Sequence, residues 1–324
     1  MSVSARSIRP VDVAGADPAG RLLPRVRLAG KCDRYVLANG VELPCLGFGT
    51  YMIAPDEAGE RAVRSALDLG FRHIDTAAQY GNEKMVGRAI AASGVARGEL
   101  FVTSKLRNDE QGYEGALSAF ERSCADLGCD YLDLYLIHWP KVGGHEGEWR
   151  ERVRDSWRAF EELYAAGRVR AIGVSNFLVP HLEALLEGAS VVPQVDQIEL
   201  NPTYQQRETV AWCRSRGVQL EAWAPLGRGR LFRSPEVVAM AERLGKDVGQ
   251  VCVRWALQSG FATMPKSTRA GRIRSNSEVF DFELDAADMA VLDALDTTDG
   301  YTFHPDRLEE WAARVAQAHA ESGV

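Results

Sequence analysis

Four residues in the first half of the chain, Asp75, Tyr80, Lys105 and His138, are of types that together move protons. Asp75 closes the run Phe71-Arg72-His73-Ile74-Asp75, Lys105 closes Leu100-Phe101-Val102-Thr103-Ser104-Lys105, and His138 closes Leu134-Tyr135-Leu136-Ile137-His138; Tyr80 follows Asp75 in the next loop. An ammonium that ends an apolar run is costly to bury unless it is paired, and Asp75 on the neighbouring run is its natural partner. A phenol beside that pair feels the positive charge, so the Tyr80 hydroxyl is expected to drop below its usual pKa of about 10 toward a value suited to proton transfer. Singly, each residue has a plainer reading: Asp75 as a helix cap, Lys105 as solvated, Tyr80 as packing, His138 as a satisfied core histidine.

What argues for chemistry is the frame that positions them. From about residue 41 onward, short apolar runs alternate with stretches of helical period. The strand candidates are Cys45 to Gly49, Phe71 to Asp75, Leu100 to Ser104, Leu132 to His138, Val169 to Val174, Val192 to Ile198, Leu220 to Ala224 and Ala262 to Pro265. Most are continuously apolar, as parallel strands covered on both faces should be. The helical stretches between them are Pro55 to Leu69, Glu83 to Ser93, Gly112 to Leu127, Trp149 to Ala166, Val179 to Glu187, Glu208 to Arg216, Val248 to Gln258 and Arg269 to Ser275. Eight such β-then-α units either close into a barrel or stay open as a doubly wound sheet. An open dinucleotide-binding sheet should carry G-x-G-x-x-G, but Gly47-Phe48-Gly49 runs on to Met52 and Gly227-Arg228-Gly229 to Phe232, so neither completes it. The pattern therefore predicts a single (β/α)8 TIM barrel, with extra helices at Pro235 to Leu244 and Asp285 to Leu295. In such a barrel, reactive groups sit at the C-terminal strand ends, where all four residues fall.

Composition narrows the function classes. The 324 residues carry a net charge of −7 and are 46% hydrophobic. That acidity argues against nucleic acid or an anionic membrane as the main partner, and no apolar stretch is long enough to span a bilayer. Residues 1–30 carry charges throughout and lack an apolar core, so they read as a flexible N-terminal extension and not as a secretion signal, leaving 31–324 as the barrel domain. Six cysteines without a C-x-x-C pair read as free thiols of a cytoplasmic protein. Six histidines without H-x-H or H-E-x-x-H predict no metal site, and the missing G-x-S-x-G leaves no serine nucleophile. A monomer acting on a small molecule is expected.

At separated motifs the sequence resembles the aldo-keto reductase family. Gly70-Phe71-Arg72-His73-Ile74-Asp75-Thr76-Ala77-Ala78-Gln79-Tyr80-Gly81-Asn82-Glu83, Leu136-Ile137-His138-Trp139-Pro140, Gly173-Val174-Ser175-Asn176-Phe177 and Pro265-Lys266-Ser267 with Arg272-Ile273 carry the likeness, which spans about Gly40 to Pro305 and looks nearest to microbial 2,5-diketo-D-gluconate reductase-like members. The resemblance implies NADPH bound across the barrel top without a Rossmann domain, and reduction of aldehydes or ketones. It implies Tyr80 as general acid, Lys105 and Asp75 tuning it, and His138 orienting the carbonyl. It implies Ser175, Asn176 and Gln197 at the nicotinamide carboxamide, Trp223 stacked on the ring, and Lys266, Ser267 and Arg272 on the 2′-phosphate. Gly49, Thr50, Tyr51 and Leu226 fall at further cofactor positions. Two departures stand out: Ser275-Asn276 replaces a common Glu-Asn pair, leaving Asn276 as the remaining adenine-side candidate, and Asp196 replaces a usual asparagine.

A second class of function stays open on the same barrel, a cofactor-binding regulatory partner with little turnover. A third reading is a reductase of bulky ketones. The short segment from Asp299 to Pro305 followed by one amphipathic helix looks more like a small-substrate enzyme, with Tyr51, Trp139, Trp223 and Phe303 as candidate pocket walls.

Overall fold

The computed structural model describes residues 7–8, 28–297, 300–311 and 313–314; Thr298, Asp299 and most of the expected C-terminal helix lie outside them, as does most of the expected N-terminal extension. The strands are β1 (Ser7–Ile8), β2 (Arg34–Val36), β3 (Glu42–Pro44), β4 (Phe48–Gly49), β5 (His73–Asp75), β6 (Phe101–Leu106), β7 (Leu132–Ile137), β8 (Val169–Ser175), β9 (Val195–Glu199), β10 (Gln219–Trp223) and β11 (Ala262–Thr263). The helices are α1 (Glu57–Asp68), α2 (Glu83–Ala92), α3 (Tyr113–Leu127), α4 (Trp149–Ala165), α5 (Val179–Leu186), α6 (Arg207–Ser215), α7 (Pro235–Leu244), α8 (Val248–Gln258), α9 (Ala270–Ser277) and α10 (Ala286–Asp293).

Strands β4 to β11 pair in sequence order, each parallel to the next. The two edges meet: Leu46 forms a parallel bridge with Thr263, the Gly47 amide donates to the Thr263 carbonyl at 2.9 Å, and the Thr263 amide donates to the Cys45 carbonyl at 3.0 Å. The sheet is therefore a closed (β/α)8 barrel, which removes exposed strand edges. Every residue of β6 and β7 is buried, the polar Thr103, Ser104, Lys105 and Asp133 included, as in parallel strands covered on both faces. A helix follows each of the barrel strands β4 to β11, with α7 and α10 as the two expected extras.

Where boundaries moved, local chemistry explains it. The run expected from Val192 starts only at Val195, because Pro193 has no N–H for a ladder and Val192 is 45% exposed. The helix expected from Pro55 starts at Glu57, since the Asp56 carboxylate accepts from the Gly59 amide at 2.9 Å and caps it.

The hairpin of β2 and β3 was not foreseen. It covers the barrel floor: Asn39 Nδ2 donates to the Arg170 carbonyl at the start of β8, and buried Tyr35 reaches the Leu257 carbonyl near the end of α8. From the segment expected to be a mobile tail, Ser7–Ile8 pairs parallel with β2.

Candidate active site

The upper ends of β5, β6 and β7 bring the four candidate residues, Asp75, Tyr80, Lys105 and His138, together. The Lys105 ammonium donates to both Asp75 oxygens at 2.7 and 2.8 Å, to the Thr76 carbonyl at 2.9 Å and to the Tyr80 hydroxyl at 3.4 Å. His138 lies just past β7, its ring meeting the Tyr80 ring edge-on with centroids 5.6 Å apart. Tyr80 ends a single 3-10 turn, Ala78–Tyr80, that Gly81 closes in the left-handed region at φ 66. Buried Asn82 then pins this loop to the one after β4. Its Nδ2 donates to the Thr50 and Ile53 carbonyls at 2.9 and 3.1 Å, and its Oδ1 accepts from the Thr76 hydroxyl at 2.9 Å.

The electrostatics correct one expectation. The Tyr80 hydroxyl is pushed up to about 12, not down: burial dominates, Lys105 pulls the other way, and Asp75 adds to the rise. The ammonium is already committed at short range to Asp75, so little of its field is left for the phenol 3.4 Å away. Burial works against the Lys105 charge, yet Asp75 and Tyr80 outweigh it and hold the ammonium above its ordinary value. Burial first, and Lys105 second, drive His138 well below the usual histidine range, so its imidazole is neutral. Its Nδ1 is buried and has no hydrogen-bond partner among the described residues.

A polar column continues down the barrel axis, carried by inward-facing residues. Gln197 Nε2 donates one hydrogen to Asp75 at 2.8 Å and the other to Glu221 at 2.8 Å. Below lie His73 Nδ1, 3.9 Å from Glu221, and Thr103, 2.9 Å from His73 Nε2. Burial and then the charge of Asp75 push Glu221 up to about 8. Sequence reasoning missed Glu221, although its place two residues before Trp223 on the same strand puts both on the inner face.

At the mouth, Tyr51 packs against Tyr80 with ring centroids 5.1 Å apart, and Trp139 meets Phe303 at 6.2 Å. Two residues that were not foreseen complete this rim. Trp311 packs on Trp139 at 4.5 Å, and the Arg228 guanidinium lies over the Tyr51 and Phe303 rings at 5.3 and 5.7 Å. An aromatic in the last helical segment was the available signal for Trp311. Nothing in the spacing marks Arg228.

Among known proteins, residues 45–297 match the model of the aldo/keto reductase family. A glyoxal reductase of Bacillus subtilis is 47% identical over 276 residues, covering 85% of this chain and 97% of its own. A crystal structure of an aldo/keto reductase from Brucella melitensis superposes with a TM-score of 0.76 at 42% identity, covering 84% of this chain and 99% of that one. A structure of a Gox0644 variant in complex with NADPH superposes with a TM-score of 0.78 at 36% identity, covering 88% of this chain and 99% of that one.

The chain belongs to the aldo/keto reductase family. This aldo/keto reductase is an NADPH-dependent oxidoreductase of carbonyl compounds, and the residues at its barrel mouth suit that cofactor. Gln197 has both amide hydrogens engaged, which leaves its Oε1 as a bare acceptor for a carboxamide N–H. The Ser175 hydroxyl donates to the Gln197 carbonyl at 2.7 Å and accepts from Asn176 Nδ2 at 3.0 Å, while Asn176 Nδ2 also donates to the His138 carbonyl at 2.9 Å, so the Ser175 and Asn176 oxygens each accept one hydrogen bond already and have a single lone pair left to offer. Trp223 is fixed by its indole N–H, which donates to Asn176 Oδ1 at 2.9 Å, and its ring is partly exposed. Lys266 is half-buried beside Gly49 and has no carboxylate partner among the described residues; burial, and then Arg228, lower its pKa.

Other candidates are placed less centrally. Arg272 is exposed on α9, and the buried Ser267 hydroxyl accepts from the Arg269 amide at 3.1 Å. Leu226 and Asn276 converge on Gly249, where an added Cβ would lie 3.3 and 3.5 Å from them. Ser275 turns back to the Arg272 carbonyl. Asp196 faces outward from the barrel axis, accepting from the Cys213 thiol at 3.9 Å, and burial raises its pKa well above the usual carboxylate range.

Proposed function

We propose that Tyr80 delivers the proton and His138 holds the carbonyl oxygen while an aldehyde or ketone is reduced at this mouth. NADPH, when bound, supplies the hydride. The observation that carries the reading is the Tyr80 hydroxyl, 3.4 Å from a buried ammonium and edge-on to a neutral imidazole. A pKa of about 12 keeps the phenol protonated and ready to donate throughout the physiological range. The neutral His138 ring has one N–H to offer, so the oxygen that gains negative charge meets two donors. Asp75 fixes the ammonium, and the ammonium stabilises the phenolate left after proton transfer.

Ser175, Asn176 and Gln197 would take the carboxamide through their oxygens, with Trp223 against the ring. Gly49, Thr50, Tyr51 and Leu226 would line the path of the nucleotide, with Lys266, Ser267, Arg272 and Asn276 at its far end. Tyr51, Trp139 and Phe303 form an aromatic rim suited to a small substrate. The work is assigned to residues 31–324 acting as a cytoplasmic monomer, since one chain supplies the whole site and its cysteines are free. A regulatory partner with little turnover finds no support in so complete a proton-transfer set.

The test is a panel of glyoxal, an aromatic aldehyde and a sugar ketone, followed by NADPH absorbance with NADH as control. Charge-assisted hydrogen bonds to the 2′-phosphate, about 1.5–3 kcal/mol, predict roughly 10- to 100-fold tighter binding of NADPH than of NADH. A folded protein that binds NADPH but oxidises none of it with any carbonyl overturns the reading.

A further inference from the structure

Helix α3 ends in a Schellman turn built between two cysteines. The amide of Gly128, left-handed at φ 67, donates to the Ala125 carbonyl at 3.3 Å, and the Cys129 amide donates to the Cys124 carbonyl at 3.0 Å. In this motif the two residues joined by the outer hydrogen bond bring their side chains into contact, ordinarily an apolar one. Here both side chains are thiols.

Their surroundings differ. Cys124 is 4% exposed in the core, while Cys129 is half-buried between exposed Gly128 and exposed Asp130. The Arg97 guanidinium, itself held by Asp133 at 2.7 Å and the Tyr131 carbonyl at 2.9 Å, stands beside Cys129. Arg168 stands beside Cys124. A reachable thiol next to a cation, backed by a second thiol shielded from solvent, is the arrangement of an attacking and a resolving cysteine.

We propose that Cys124 and Cys129 form a peroxide-reactive dithiol that closes into an intramolecular disulfide, with Cys129 attacking and Cys124 resolving. The neighbouring Cys124 thiol, and after it the Arg97 charge, lower the Cys129 thiol below the ordinary cysteine range against the effect of burial. The Cys129 thiolate attacks one oxygen of hydrogen peroxide, breaking the O–O bond, and becomes a sulfenic acid as hydroxide leaves. Cys124 then attacks that sulfur, the S–OH bond breaks, and water leaves with the Cys124 proton. Two thiols lose two electrons in all, and one peroxide becomes two waters.

The pair lies before β7 begins at Leu132, whereas His138 follows the other end of that strand, so peroxide reaches Cys129 without entering the barrel mouth. The proposal is independent of the carbonyl chemistry.

The full-length protein is treated with a small excess of hydrogen peroxide at neutral pH, blocked with iodoacetamide, and digested without reductant for mass spectrometry. The expected product is one peptide carrying residues 124 and 129, lighter by two hydrogens and restored by dithiothreitol. In Cys124→Ser the sulfenic acid has no resolving thiol and is trapped on Cys129 by dimedone. In Cys129→Ser, Cys124 stays reduced over the same exposure. Alkylation of Cys129 in the untreated protein should be half-maximal at a pH below the ordinary cysteine range. The proposal is overturned if native Cys129 stays dimedone-reactive or runs on to sulfinic acid while Cys124 keeps its thiol. It is equally overturned if exposed Cys32 oxidises and the pair remains reduced.

Discussion

Replacing Tyr80 with phenylalanine separates catalysis from folding. The hydroxyl makes one long hydrogen bond, 3.4 Å from the Lys105 ammonium, which keeps its two Asp75 contacts and the Thr76 carbonyl when the phenol is gone. The stability cost should therefore stay below about 1 kcal/mol, or roughly 2–4 °C in melting temperature for a large domain. The rate loses far more. Removing one of two donors to a developing oxyanion costs about 10²–10³-fold, and loss of the proton donor adds further to it. Tyr80→Phe should thus fall by at least about a thousandfold in kcat, or about 4 kcal/mol in the barrier. The assay is single-turnover NADPH oxidation with saturating cofactor, because slow product release can mask a change in the chemical step. Tryptophan fluorescence titration with NADPH should remain near that of the native protein. A single-turnover rate within about tenfold of the native protein, in a variant that binds NADPH normally, refutes the assignment of Tyr80 as proton donor.

Other perturbations divide the site differently. Lys105→Met should damage both properties: it strands the buried Asp75 carboxylate, at a cost of about 3–5 kcal/mol that thermal melting would register, and it abolishes measurable turnover. Because the phenol sits at about 12, alcohol oxidation with NADP+, which needs the phenolate, should rise close to tenfold per pH unit between pH 7 and 10, while carbonyl reduction stays flat over the same range. Initial rates in both directions check this, and a plateau of the oxidation rate below pH 9 would count against it. Lys266→Met with Arg272→Ala should weaken NADPH binding by roughly 10- to 100-fold and leave NADH binding nearly unchanged, as read by fluorescence titration. Glu221 holds its proton in the folded protein up to about pH 8 and releases it near 4.5 when unfolded, so it lends stability fully below 4.5 and loses that contribution as pH rises toward 8. Glu221→Gln should flatten this decline, worth up to about 5 kcal/mol, and melting curves at pH 5 and 8 that fall in parallel for both proteins would contradict it.

Much of the fold was legible because β/α alternation is a local signal. The runs between Cys45 and Pro265 fell on the observed strands within a few residues, and helices α7 and α8 on their expected bounds. The hairpin of β2 and β3 escaped notice because its strands are three residues each, too short for a period, and its partners lie on the barrel floor far along the chain. In the candidate site, the placement of Asp75, Tyr80, Lys105 and His138 could be read from strand ends. The strand alternation that puts Glu221 on the inner face, and the aromatic Trp311 in the last helical segment, were signals passed over, whereas nothing in the spacing marked Arg228, which the loop after β10 brings over the Tyr51 and Phe303 rings.

Residue order alone thus determined the barrel, the placement of the four candidate side chains at its strand ends and the family, because periodicity, strand-end placement and motif spacing are carried by adjacent residues. Only the tertiary structure decided the protonation of the site. Whether Tyr80 is made more or less acidic depends on how far water is excluded and on how tightly Asp75 already holds the Lys105 charge, and both are sums over contacts from separate strands. The same holds for Cys124 and Cys129, whose sequence separation suggested nothing until a left-handed glycine turned the backbone of one back onto that of the other.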